Sequence, residues 1–187
     1  MSLDSTPGGA AAESYFSIAE ADTYFAARGN AAWAAATTTA KEQAARAGTQ
    51  YLENTYRTRW VGLTAAQTQA LAWPRVDGQR GGMGRSFGYG YTFPLYDING
   101  WAIDSTTIPA QIKYAAMQAA LLALGGVSLE PTLERGGQIH SISKGVGPLS
   151  KSIVYVDGAP ARDTYTAIEG YLRGLVQSSG NVKLVRA

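Results

Sequence analysis

The sequence predicts a mainly α protein: a small bundle of about five helices, a β-hairpin arm, a second small hairpin and an extended, strand-like C-terminal tail. Three observations predict it. Apolar residues recur at helical spacing in five segments, three of which open on a capping-box pattern. β-Branched and aromatic runs are short and bounded by glycine, asparagine or aspartate. At 187 residues with 45% hydrophobic content, the chain can bury one core.

The elements follow in order. Residues 1–13 (MSLDSTPGGAAAE) have neither the basic start nor the apolar stretch of a signal peptide, and read as a mobile tail. Ser17-x-x-Glu20, Thr39-x-x-Glu42 and Thr64-x-x-Gln67 are the three capping boxes. The first opens a helix over 18–28, with Ile18, Ala21 and Phe25 on one face and Gly29 as its stop. The second opens a helix over 40–54, with Ala44, Ala47 and Tyr51 as its stripe and Leu52 beside it. The third opens a helix over 65–72 that must end before Pro74.

A long insertion, 76–107, comes next. Within it, FPLYDI and WAID flank Asn99-Gly100, a pair that suits a two-residue type I′ hairpin turn. A fourth helix starts near Ile108-Pro109 and runs to Leu124. Only Gln111, Lys113 and Gln118 are polar in it, so it is expected to be central and buried. Residues 138–144 and 150–156 form the second hairpin, and Asp157-Gly158 turns the chain. A fifth helix over 161–177 has Asp163 in its first turn and the stripe Tyr165, Ile168, Leu172 and Val176. Gly170 and Gly174, four apart, form a notch for a close helix contact. The tail, 180–187, alternates as a short strand. It can add to a partner's sheet edge or close the hairpin of 138–156; both satisfy the same backbone groups. One domain over 14–179 is expected between the two tails.

Composition narrows the chemistry. Charged residues make up 16% and the net charge is +2, too thin for a general duplex-DNA binder. Without cysteine there is no disulfide framework or thiolate metal site. The apolar run from Tyr114 to Val127 is too short and interrupted to span a membrane, and a soluble intracellular protein is expected. His140, the one histidine, lies in an expected strand with no partner for a general base, and no nucleophile elbow is present. Asp97, Asn99 and Asp104 lack calcium-loop spacing. No enzyme, cofactor or metal is expected.

The stretch GQRGGMGRSFGYGYTF, 78–93, carries six glycines. It fits neither the phosphate loop nor the dinucleotide fingerprint. Arg80 and Arg85 can meet phosphates, and Phe87, Tyr89 and Tyr91 can stack on bases. The same composition suits an arm that orders on a partner protein, and Trp101 belongs to that arm.

The order FSIAEADTYFAARG, LAWPR, IPAQIKYAAMQAALLAL and ISKGVGPLSKSIVYV resembles the head–tail adaptor (connector) proteins of tailed bacteriophages over residues 14–187. Some of their relatives are labelled DnaT-like single-stranded DNA-binding proteins. The resemblance implies a structural ring of about twelve copies at the virion neck, assembled in the host cytoplasm. Such a ring binds the portal through Val182, Lys183, Leu184, Val185 and Arg186, and a head-closure or tail protein on its other face. DNA passes through its lumen without sequence-specific binding. Residues 78–93 depart from that layout as an extension of a loop. The alternative function is single-stranded nucleic-acid binding in phage replication.

Overall fold

The computed structural model describes residues 2–77, 94–129, 139–144, 151–155 and 165–177. Mainly α architecture with small antiparallel hairpins is what it shows. The described helices are α1 (Ile18–Ala26), α2 (Ala31–Ala35), α3 (Thr38–Tyr56), α4 (Ala110–Leu124) and α5 (Thr166–Leu172). Three two-stranded antiparallel pairs accompany them: β1 (Leu63–Thr64) with β2 (Arg75–Val76), β3 (Leu95–Tyr96) with β4 (Ala102–Ile103), and β5 (Ile139–Lys144) with β6 (Lys151–Tyr155). None of these helices is long and apolar enough to cross a membrane.

α1 begins as its capping box dictates. Ser17 Oγ accepts from Glu20 N–H, and the Glu20 carboxylate accepts from Ser17 N–H at 2.8 Å. Asn30 caps α2, a five-residue helix that periodicity cannot detect. It buries Trp33, whose indole N–H donates to Asp22 at 2.8 Å while Lys41 holds the same carboxylate. α3 starts earlier than its expected box: Thr37, not Thr39, accepts from Ala40 N–H.

The helix expected over 65–72 is absent. Residues there form turns between β1 and β2. Gln69 holds them: its carbonyl accepts from Ala66 N–H, and its amide donates to the Leu71 and Pro74 carbonyls. A helix would withdraw those backbone groups into its own ladder. Residues 2–13, expected as a mobile tail, fold back on themselves. Glu13 and Ser14 N–H donate to the Asp4 carbonyl, Ala70 N–H donates to Gly9, and Leu3 and Ala12 reach the core.

The core lies where α4 meets α3 and α5. Ile112, Ala115, Ala116, Met117, Ala119 and Ala120 are its buried residues from α4. Small side chains let α3 and α4 approach until Gly48 faces backbone: a Cβ there would stand 2.6 Å from both Ala116 O and Ala120 N. Gly48→Ala therefore has no rotamer to escape into. It is expected to lower stability by about 2 kcal/mol, the overpacking cost outweighing alanine's better helix propensity. A fall in urea midpoint with unchanged slope is the expected readout. Tyr24, Tyr114 and Tyr171 tie α1, α4 and α5 together: Tyr24 stacks on Tyr114, and its hydroxyl bonds to that of Tyr171 and accepts from the Gln118 side-chain amide.

α5 is shorter than the expected 161–177; its described turns end at Leu172. Beyond it, Trp60 bridges Val176, Val61 N–H donates to Leu175 O, and Gln177 N–H donates to Arg59 O. This pairing takes residues 175–177 out of the helix and sets them beside 59–61. The expected β5–β6 hairpin is present, in a register from Ile139↔Tyr155 to Lys144↔Lys151 with one irregularity near Ile139.

A candidate nucleic-acid interface at the β3–β4 hairpin

Three segments distant in sequence meet around the β3–β4 hairpin: 59–63, 95–103 and 173–177. Leu95 is the buried anchor of the hairpin and reaches Gly62. Its tip turns otherwise than expected. Asp97 pairs with Trp101 through a 2.8 Å bond from Asp97 N–H to Trp101 O, and Gly100 N–H closes on Asp97 O at 3.0 Å. The loop is thus three residues ending in Gly100 at φ +83°, not a two-residue type I′ turn. The Asp97 carboxylate decides this by accepting from both Asn99 N–H and Trp101 N–H.

That turn displays Ile98 and Trp101, each 74% exposed, beside half-exposed Tyr96. The other three tryptophans, Trp33, Trp60 and Trp73, are buried. An exposed indole on a hydrogen-bonded turn is a stacking surface held at low entropic cost.

The cations sort themselves by partner. Lys41, Arg46, Arg57 and Lys113 are in ion pairs. Arg28 lies over the Tyr24 ring at 3.5 Å. Arg75 is buried and donates to the carbonyls of Val61, Gly62 and Ala72. Among the described arginines, Arg173 is exposed and in no ion pair, and half-exposed Arg59, also in no ion pair, lies over the Tyr56 ring at 5.6 Å. Arg173 precedes Gly174, which contacts Ile98, and Arg59 donates to the Gln177 carbonyl. Both therefore belong to the segments that meet the hairpin. Asp104, accepting from Thr106 N–H and Oγ1, has its pKa lowered by those bonds and stays ionised at neutral pH. With Asp97 it places negative charge on the hairpin, so attraction for phosphate there is modest.

Of the residues singled out in the sequence, Trp101 is brought into this face. Gly170 is exposed with no described residue within 4 Å of a Cβ position, and Gly174 lies beyond the end of α5, so among the described residues the two do not share a helix face. Arg80, Arg85, Phe87, Tyr89 and Tyr91, the strand-like tail Val182–Arg186, Asp163 and the Asp157-Gly158 turn lie outside the described residues. Arg59 and Arg173 were not evident from sequence; Glu169 stands four residues before Arg173, a spacing that points to a helical ion pair and away from a free cation.

The model of the family described as "Putative DnaT-like ssDNA binding protein" matches residues 1–86 and 88–187. The chain belongs to that family. No curated protein and no solved structure gives a match. The match corrects the head–tail adaptor assignment: it points to a nucleic-acid-binding family, and the ring, the portal, the head-closure or tail partners and the neck role all fall with that assignment.

Proposed function

We propose that this member of the DnaT-like family binds single-stranded DNA through the β3–β4 hairpin face. Trp101 stacks on a base while Arg173 and Arg59 attend the phosphates. The observation that carries the reading is the one exposed tryptophan, presented on a fixed turn that meets the segments carrying Arg59 and Arg173, neither of which is in an ion pair among the described residues. The helices α1, α3, α4 and α5 serve as a small bundle that holds this face. The role is binding and not catalysis, in keeping with a lone histidine and no nucleophile elbow in the sequence.

Single strands suit the face better than duplex. A stacked indole needs an unpaired base, whereas duplex binding rests on a basic stripe that a net charge of +2 does not provide. One stack contributes about 1–3 kcal/mol, so a single chain holds a short strand weakly and extended strands gain by engaging several chains.

The test uses the protein's own fluorescence. Acrylamide should quench Trp101 and leave the three buried tryptophans largely untouched. Added oligothymidylate should shield Trp101, and duplex of equal length should not. The salt dependence counts the cations: two phosphate contacts give a slope of about −1.4 in log K against log salt for single strands, and four, if Arg80 and Arg85 join, about −2.8. Unshielded Trp101 at saturating oligothymidylate would sink the reading.

A further inference from the structure

Among the described left-handed glycines, two lack room for a Cβ: Gly62, which faces the Val76 carbonyl and Leu95 at the base of the hairpin, and Gly174, which faces its tip. Gly29, Gly100 and Gly126 also have positive φ, yet a Cβ on any of them would meet nothing within 4 Å. At Gly174, with φ +81°, a Cβ would stand 2.0 Å from Ile98 Cγ2 and 3.4 Å from Ile98 Cβ. The contact joins the turn after α5 to the tip of the hairpin, across 76 positions of sequence. Ile98 is otherwise exposed, and the strand pairing packs on the body of the protein through Leu95 and Ile103. A two-residue strand pair is marginal without support, so the tip needs a second point of attachment to hold one orientation.

We infer that Gly174 is the seat of the β3–β4 hairpin tip and, through it, the positioning residue for Trp101. The inference rests on the reading of this hairpin as the DNA-binding face and adds how the face is held. Any side chain at 174 displaces Ile98. Because Ile98 and Trp101 flank the same Asp97-bonded turn, displacing one re-aims the other. The seat is also the residue after Arg173, so one contact sets both the stack and a cation that is in no described ion pair.

The experiment separates steric displacement from backbone strain. Asparagine tolerates the left-handed region better than other non-glycine residues. Gly174→Asn therefore tests the collision, and Gly126→Asn is the control with the same φ and open space. In DNA-free protein, Gly174→Asn should speed amide exchange across Leu95–Ile103 about tenfold, and Gly126→Asn should leave it unchanged. Ile98→Ala removes the atom that collides, so Gly174→Asn added to it should have no further effect. Affinity for oligothymidylate should fall about tenfold with Gly174→Asn in the unsubstituted background and not in the Ile98→Ala background.

Equal acceleration in both backgrounds, or with Gly126→Asn, would overturn the seat. Hairpin amides that respond as expected in a protein that binds no single strand would overturn the DNA reading, and the positioning role with it. Amides that fail to respond in a protein that does bind would overturn the seat alone.

Discussion

Glu53→Ala is expected to destabilise the fold by about 3 kcal/mol, through the buried donors it strands. Glu53 lies in the last turns of α3 with only 7% of its surface exposed. Its carboxylate accepts from three directions: the Tyr15 hydroxyl, the Ala72 N–H at 2.9 Å and Arg57 at 3.0 Å. These join the N-terminal segment and the 65–72 turns to the helix. Burial, reinforced by the adjacent carboxylate, pushes the Tyr15 pKa well above its ordinary value, so Tyr15 remains a donor at any working pH. Alanine leaves the Tyr15 O–H and the Ala72 N–H buried without acceptors, each costing on the order of 1–3 kcal/mol. Arg57 is mostly exposed and loses little, because water replaces its partner. Glu53→Gln keeps the shape and one acceptor oxygen, and should cost roughly half as much. Urea denaturation of both variants beside the parent checks this. An alanine variant within 0.5 kcal/mol of the parent, roughly the surface-substitution range, would show the hub to be dispensable.

What was legible in the sequence was local. The Ser17–Glu20 box, the buried α4 and the β5–β6 hairpin each follow from neighbouring residues, and each is present. The Thr64-x-x-Gln67 pattern has the same letters as a capping box but no helix behind it. There a side chain two residues on, Gln69, takes up the backbone groups, with Pro74 as one of its partners. Glu53 drew no notice because helical periodicity registers apolar residues, and a buried carboxylate on the inner face reads as a break in the stripe. α2 escaped because five residues carry no period. The candidate site divides the same way. Trp101 could be singled out from its place beside Asn99-Gly100. Arg59, Arg173 and the Gly174 seat come from segments that only tertiary structure brings to the hairpin.

Trp101→Ala is expected to weaken binding to oligothymidylate about thirtyfold, the equivalent of about 2 kcal/mol for one lost base stack. The same change should leave stability within about 0.5 kcal/mol, since an indole 74% exposed gives up little packing. That separation is the diagnostic part. The Asp97 bonds to Asn99 N–H and Trp101 N–H use the backbone, so alanine at 101 retains the turn and removes only the ring. Trp101→Phe keeps a smaller stacking face and should fall between the two. Arg173→Gln, by contrast, should change affinity by only a few-fold near physiological salt, and should reduce the salt slope by about 0.7. Stacking is sequence-tolerant and nearly salt-independent, whereas phosphate contact is neither. The two variants therefore differ in kind and not only in size. If Trp101→Ala binds as the parent does while Arg173→Gln abolishes binding, the face is a charge site and the stacking assignment is wrong. Fluorescence anisotropy of labelled oligothymidylate at two salt concentrations distinguishes these outcomes for both variants.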